Sequence, residues 1–174
     1  MHPAAPREAR ALLTELGASP RLLRHVELVG EAADALLTAL GERRVPIDDA
    51  FVRVGVILHD AGKVLHPREL DAAGGAHEPA GQALLLEHGV SPALARVCLS
   101  HARWHELEVS LEELTIALAD KLWKGVRAVA LEERFIDAVA AALGADRWDV
   151  FVALDTSFEL IAAGGDARLA RSRA

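Results

Sequence analysis

The sequence predicts an all-α protein, a compact single-domain bundle of about seven helices. Alanine and leucine, which are strong helix formers, are abundant along the chain. β-branched residues rarely alternate with polar ones, as they would in half-buried strands. The 174 residues are 52% hydrophobic and 26% charged, so the chain is long enough and apolar enough to bury one core.

Helix-start and helix-stop signals divide the chain into segments. Ser19-Pro20 and Ser91-Pro92 each place a capping side chain before a proline at the first helical position. Ser110 and Glu113 have the spacing of a capping box, and Gly144 is typical of a helix end. The predicted helices are residues 6–16, 20–40, 48–62, 77–88, 92–103, 111–143 and 147–163.

The remaining segments suggest the domain boundaries. We expect residues 1–18 to form an N-terminal helix or extension and residues 19–163 to form the domain. Residues 164–174, which begin with two glycines, are expected to be a flexible C-terminal tail. The connection at 63–76 is the longest between helices, so we expect it to line a cleft.

Composition excludes several classes of protein. The net charge of −7 argues against a surface that binds duplex nucleic acid. A single cysteine excludes a disulfide within the chain and a cysteine-rich zinc module. No run approaches the roughly 18 apolar residues of a membrane span, and the first residues lack the basic-then-apolar order of a secretory signal. We therefore expect a cytoplasmic monomer or homodimer that does not bind a membrane.

The strongest chemical signal is the adjacent pair His59-Asp60 at the end of an apolar run. Burial of a carboxylate is costly unless it is paired or binds a cation. A metal ion favours an ionised carboxylate and a neutral imidazole. Further candidate ligands lie on other predicted helices: His25, His77, His101 and Asp120. Such donors, without a thiolate, suit one or two divalent ions such as Fe, Mn, Zn, Co, Ni or Mg.

These residues resemble the signature of the HD-domain metal-dependent phosphohydrolases, which is an isolated His, an adjacent His-Asp and a distant Asp. The matching positions are His25, His59-Asp60 and Asp120. The segment at 58–63 (LHDAGK) is similar to the family's His-Asp-x-Gly-Lys, and the segment at 119–122 (ADKL) is similar to its closing Ala-Asp-Lys. The resemblance spans about residues 20–127 and most of the predicted domain.

Two more histidines lie between these segments, at the positions that mark the family's two-metal subgroup. The resemblance implies that one metal is held by His25, His59, Asp60 and Asp120, and a second by Asp60, His77 and His101. His105, four residues after His101, competes for the last ligand position. The resemblance also implies hydrolysis of a phosphate ester or anhydride of a small metabolite, with a nucleotide as the expected substrate, by a metal-activated water.

Basic side chains near these ligands are expected to hold the substrate phosphate: Lys63, Arg103, Lys124 and Arg127. Lys63 matches the family's lysine, and we expect it to act in catalysis with Asp60. Lys124 and Arg127 would share a helix face with Asp120 if the helix were continuous, although such residues often form only a solvated face. His105 is expected to protonate the leaving oxygen.

Three alternatives to a two-metal phosphohydrolase remain open at this level. A one-metal 5'-nucleotidase would use His25, His59, Asp60 and Asp120, with His77 and His101 contacting phosphate or packing. A two-iron oxygenase would use the same ligands for redox chemistry. A non-catalytic module would bind a nucleotide without turning it over. Metal stoichiometry distinguishes the one-metal nucleotidase from the two-metal phosphohydrolase. Oxygen consumption would identify the oxygenase, and nucleotide binding without turnover would identify the non-catalytic module.

Overall fold

A computed structural model describes residues 3–173, which form ten α-helices and two 3-10 helices and contain no β-strand. The α-helices are α1 (Pro6–Glu15), α2 (Pro20–Glu42), α3 (Asp49–Leu58), α4 (His77–Glu87), α5 (Pro92–Ala95), α6 (Val97–Ser100), α7 (Leu111–Leu122), α8 (Val129–Leu143), α9 (Arg147–Ala163) and α10 (Gly165–Ser172). The 3-10 helices are Ala61–Val64 and Pro67–Leu70. The all-α prediction is confirmed; residues 1, 2 and 174 of the predicted extension and tail lie outside the described residues.

Two hydrophobic clusters form the core, and both α2 and α3 contribute to each. The first cluster joins α2 and α3 to α7, α8 and α9 around Phe135 and Phe158, whose ring centroids are 5.6 Å apart. The second joins α2 and α3 to α1, α4 and α5, with Leu58 and Leu85 fully buried. Because α3 contributes to both clusters, the residues at its C-terminal end are held in the interior. None of the described helices is long and apolar enough to span a membrane.

The prediction of one continuous helix over residues 111–143 is wrong, because α7 ends at Leu122 and the chain turns at Gly125 before α8 begins. Gly125 has a φ of 78°, in the left-handed region that favours glycine. The guanidinium of Arg168 donates to the main-chain carbonyl oxygen of Leu122 at 3.0 Å, so the side chain satisfies an acceptor that a continuing helix would use. Asp120, Lys124 and Arg127, which were predicted to share one face of a continuous helix, therefore do not lie on the same helix.

The ends of two other predicted helices also differ. The helix predicted at 48–62 ends at Leu58 and is followed by a 3-10 helix, and the one predicted at 92–103 consists of the single-turn helices α5 and α6. The C-terminal segment predicted to be flexible contains α10. Arg171 fixes α10 to α2 by donating two hydrogen bonds to the carboxylate of Glu31, at 2.8 and 2.6 Å.

Candidate metal centre

The His59-Asp60 pair lies where α3 ends and the first 3-10 helix begins. The two residues are 0% and 1% exposed. His59 Nδ1 donates to the carbonyl oxygen of Val56 at 2.6 Å, which directs the other ring nitrogen, Nε2, towards the carboxylates. The local helix geometry thus buries an ionisable pair and fixes the orientation of its imidazole.

His25 from α2 and Asp120 from α7 converge on this pair and form a group of four candidate ligands with it. His25 Nε2 lies 2.8 Å from Asp60 Oδ2, and His59 Nε2 lies 3.3 Å from the same oxygen. Asp120 approaches from α7, with its Oδ1 3.7 Å from His59 Nε2 and 4.0 Å from His25 Nε2. The candidate ligand atoms of these four residues all lie within 4.8 Å of one another.

A second group shares Asp60 but uses its other oxygen. His77 Nε2, from the start of α4, lies 3.2 Å from Asp60 Oδ1. His101 Nε2, which follows α6, lies 3.7 Å from the same atom. The candidate ligand atoms of this group also lie within 4.8 Å of one another. The Asp60 carboxylate therefore stands between the two groups and presents one oxygen to each.

His77 is positioned by the close approach of two main-chain segments at Gly62 and Gly81. The main chain at Gly62 passes so near α4 that a Cβ there would lie 1.9 Å from the carbonyl oxygen of His77 and 2.6 Å from the main-chain nitrogen of Gly81. A Cβ at Gly81 would in turn lie 2.7 Å from the nitrogen of Gly62. Only glycine permits this approach, which brings the first turn of α4 to the end of α3.

Charges in the centre influence one another strongly. Burial lowers the pKa of His59, but the Asp60 and Asp120 carboxylates outweigh this effect and raise it to about 10. Burial would raise the pKa values of both carboxyls, yet their imidazole neighbours hold them below the usual range. Burial and the neighbouring His59 lower the pKa of His101 to about 4. Without a metal, both carboxylates are therefore ionised and His101 is neutral at neutral pH, the forms in which these groups bind metals. His59 is protonated under the same conditions and would release its proton when a metal binds.

The donor set fits a divalent cation. His59 Nε2, Asp60 Oδ1 and His77 Nε2 are buried and have no hydrogen-bond partner. A buried polar atom without a partner costs about 1–3 kcal/mol, and native structures rarely retain one without a reason. A cation within reach of imidazole nitrogens and carboxylate oxygens would satisfy all three atoms. These residues could hold Zn, Mn, Fe or a similar ion.

The centre forms part of the wall of a cavity of about 690 Å³, a volume typical of small-ligand sites. Five basic residues line the same cavity: Arg21, Lys63, Lys121, Lys124 and Arg173. Lys63 Nζ donates to Asp60 Oδ2 at 2.7 Å, and Lys121 Nζ lies 3.4 Å from Asp120 Oδ2. Five carboxylates line the cavity as well, those of Asp60, Glu69, Asp71, Glu78 and Asp120. The cavity therefore places ammonium groups beside the candidate metal ligands without an excess of basic over acidic side chains.

Two predicted site residues do not line this cavity, although Arg103 contacts the cavity-lining Glu78. Arg103 Nε donates to Glu78 Oε2 at 2.6 Å, and its side chain is 42% exposed. The His105 side chain is 57% exposed, with Nε2 3.3 Å from Glu106 Oε1. Neither Arg103 nor His105 is among the residues that line the cavity, so the structure does not place them in their predicted roles.

Arg127 is also displaced from its predicted position, because α7 ends before it. Its guanidinium donates to both carboxylate oxygens of Glu132 at 2.8 Å and to Asp155 Oδ1 at 2.5 Å. Arg127 therefore links α8 to α9 and does not line the cavity. Lys124 does line the cavity, although it lies beyond the end of α7.

The connection 63–76, which was expected to line a cleft, contributes Glu69 and its neighbours to the cavity, although nothing in the sequence singled out Glu69. Among the charged cavity residues that the sequence did not indicate are Arg21 and Arg173. Arg21 could have been found, since it lies four residues before His25 and shares its helix face, whereas Arg173 comes from the segment expected to be flexible.

Comparison with known families agrees with this arrangement. The sequence model of the HD domain matches residues 22–123, a range that contains all six candidate metal ligands. No solved structure gives a significant match. Since the match covers more than half of the chain, the protein belongs to the HD-domain family.

Proposed function

We propose that this protein is a metal-dependent phosphohydrolase that cleaves a phosphate ester or anhydride of a small metabolite, with a nucleotide as the substrate. The placement of Asp60 carries the proposal. Its two oxygens face separate sets of imidazoles, and Oδ1 is buried without a hydrogen-bond partner. This arrangement supports two divalent ions, the first held by His25, His59, Asp60 and Asp120 and the second by Asp60, His77 and His101.

When bound at such a centre, divalent ions lower the pKa of a coordinated water and stabilise charge on phosphoryl oxygens. The protein's own contribution is to bind and orient the substrate. Lys63 and Lys121 place ammonium groups at the two carboxylates of the centre, where they would neutralise a phosphate. Lys124 lines the same cavity and would hold a more distant phosphate oxygen.

The nucleotide assignment is supported by the size and charge of the cavity. A volume of about 690 Å³ accommodates a nucleotide, and its basic side chains suit more than one phosphate. His105 lies outside the cavity, so Lys63, whose side chain is 14% exposed, replaces it in our proposal as the donor to the leaving oxygen.

Metal content and phosphate release together test the proposal. Wild-type protein and His77→Ala, both purified without chelator, are compared by elemental analysis. Phosphate release is then measured on nucleoside mono-, di- and triphosphates with Mn, Fe or Co. We expect about two equivalents of metal in the wild type and about one in the variant, with turnover that requires the metal.

A matched control is His88→Ala, because His88 is an exposed histidine on the last turn of α4, at the other end of the helix from His77. It should retain both ions. One equivalent in all three proteins would indicate a one-metal nucleotidase. Metal-dependent oxygen consumption without phosphate release would indicate an oxygenase. Absence of metal after reconstitution would overturn the catalytic proposal and leave a binding module.

A further inference from the structure

The candidate metal-binding histidines differ in what orients them. His59 Nδ1 donates to the carbonyl oxygen of Val56 at 2.6 Å, and His101 Nδ1 donates to that of Val97 at 3.0 Å. Both acceptors are neutral and belong to the preceding helical turn. His77 Nδ1 instead contacts a carboxylate, Glu69 Oε2, at 2.5 Å. Of these three imidazoles, His77 alone has an anionic orienting partner.

The Glu69 carboxylate is itself fixed by the start of α4. The main-chain nitrogen of His77 donates to Glu69 Oε2 at 3.1 Å, and that of Ala76 donates to Oε1 at 3.3 Å. The loop folds closely over the side chain, since a Cβ at Gly74 would lie 2.5 Å from the carboxyl carbon of Glu69. Only 15% of the Glu69 side chain is exposed. This carboxylate is therefore held in place before any ligand binds.

We propose that Glu69 is a positioning residue for the second metal, the one held by Asp60, His77 and His101; this inference rests on the proposed function. The carboxylate accepts the Nδ1 proton of His77 and thereby fixes the tautomer whose Nε2 lone pair is free. That Nε2 already lies 3.2 Å from Asp60 Oδ1. A carboxylate behind an imidazole also makes the ring a stronger donor to a cation, and loss of such a partner lowers metal affinity by about 10- to 100-fold.

Two substitutions of Glu69 distinguish its role in orienting the His77 ring from the effect of its negative charge. Glu69→Gln keeps an oxygen that can accept the Nδ1 proton but removes the negative charge, whereas Glu69→Ala removes both. The matched control is Asp71→Asn, which removes one negative charge from the same loop. Asp71 lines the same cavity but pairs with Arg21. Metal stoichiometry and affinity are measured by calorimetric titration of the metal-free proteins with Mn or Zn, alongside wild type and His77→Ala.

We expect affinity for the second equivalent to fall about 10- to 100-fold in Glu69→Ala and by less in Glu69→Gln. The first equivalent should be unaffected, a selectivity that a merely structural role of Glu69 would not produce. Asp71→Asn should bind both ions as the wild type does. If Glu69→Ala does not fold, the nearly isosteric Glu69→Gln still decides the test, since its second equivalent must bind more weakly.

The possible failures are distinguishable. If the wild type binds two ions and His77→Ala binds one, but the Glu69 variants match the wild type, the role of Glu69 is overturned and the proposed function stands. If Asp71→Asn weakens the second ion as much as Glu69→Gln does, the effect is one of general charge and the inference is again overturned. If wild type and His77→Ala both bind one ion, the two-metal proposal fails and the role of Glu69 fails with it.

Discussion

Buried carboxylates among the described residues occur in two kinds of region, at helix beginnings, in α7 and α8, and at the metal centre. Glu113 and Glu132 lie in the first turns of their helices, where the helix dipole stabilises a negative charge. Asp60 follows the end of α3, and Asp120 lies in the last turn of α7. At the end of α7 the dipole disfavours the Asp120 carboxylate, whereas Asp60 follows α3 and is also the N-cap of the 3-10 helix Ala61–Val64. Asp120 is therefore buried in an electrostatic setting opposite to that of Glu113 and Glu132.

Their hydrogen-bond partners differ in the same way. Glu113 accepts from the main-chain nitrogen of Ser110 at 2.9 Å and pairs with Arg96. Glu132 accepts from the guanidinium of Arg127 and from the main-chain nitrogen of Ala128. The carboxylates of the metal centre face mainly imidazoles, and one oxygen of Asp60 lacks a hydrogen-bond partner.

The comparison teaches that burial of a carboxylate does not by itself indicate function. A buried carboxylate that is fully hydrogen-bonded at a helix start stabilises the fold. A buried carboxylate among imidazole nitrogens, with one oxygen that lacks a hydrogen-bond partner, gains its full set of partners only when a cation is added. The predictions below test whether the two regions respond differently to loss of charge and to loss of metal.

The largest effect is expected for Asp60→Asn, because this residue serves both groups of ligands. Both ions should be lost, and metal-dependent phosphate release should fall by about 10³-fold or more, which corresponds to about 4 kcal/mol of lost charge stabilisation. Elemental analysis and a phosphate-release assay measure the two effects. Full retention of metal would show that Asp60 is no more than another buried carboxylate.

Metal removal should lower the stability of the wild type but not of Asp60→Asn. At a metal concentration 100 times the Kd, binding of each ion to the native state contributes about 2.7 kcal/mol, which corresponds to a Tm shift of about 5–10 °C per ion for a domain of this size. Differential scanning calorimetry with and without EDTA measures the shift. An equal response in Asp60→Asn would place the metal elsewhere in the protein.

Gly62→Ala should destabilise the protein by about 1–3 kcal/mol, because its Cβ would lie 1.9 Å from the carbonyl oxygen of His77. Relief of this clash displaces α4, so affinity for the second metal should also fall. The control is Gly30→Ala on α2, where a Cβ would meet no atom within 4 Å. That change should stabilise the protein by about 0.5–1 kcal/mol. Urea unfolding measures the stability of both variants. Similar destabilisation of Gly62→Ala and Gly30→Ala would contradict the close approach of Gly62 to α4.

Much of the fold and of the candidate site follows from local signals in the sequence. Proline at helix starts, capping side chains and the apolar runs predict α1, α2, α4 and α9 within two residues at each end. The six candidate ligands could be found because an ionisable pair at the end of an apolar run is unusual and its neighbours resemble a family pattern. The structure brings all six together.

The errors arose where contacts distant in sequence determine the structure. Arg168, which lies on α10, donates to the carbonyl oxygen of Leu122 at the helix break after α7, a contact that the local sequence does not indicate. Gly125 at the turn was a local signal of a helix end, and the prediction of one helix over 111–143, which kept Arg127 near the cavity, overlooked it. Glu69 has no motif of its own, because its contact with His77 depends on how the loop returns to α4. The position of a side chain relative to the cavity could thus be predicted only where the bounds of its helix were predicted correctly.

The smallest of these effects is expected at the start of α8. Glu132→Gln should lower the free energy of unfolding by about 1–2 kcal/mol, because charge-assisted hydrogen bonds from Arg127 become neutral ones and the new amide group cannot accept. Arg127 keeps its contact with Asp155, which limits the loss. Metal content and the response to EDTA should match the wild type. Urea unfolding and elemental analysis measure both quantities, and loss of metal in this variant would erase the distinction between the two regions, because a carboxylate bonded to an arginine would then support the centre as Asp60 does.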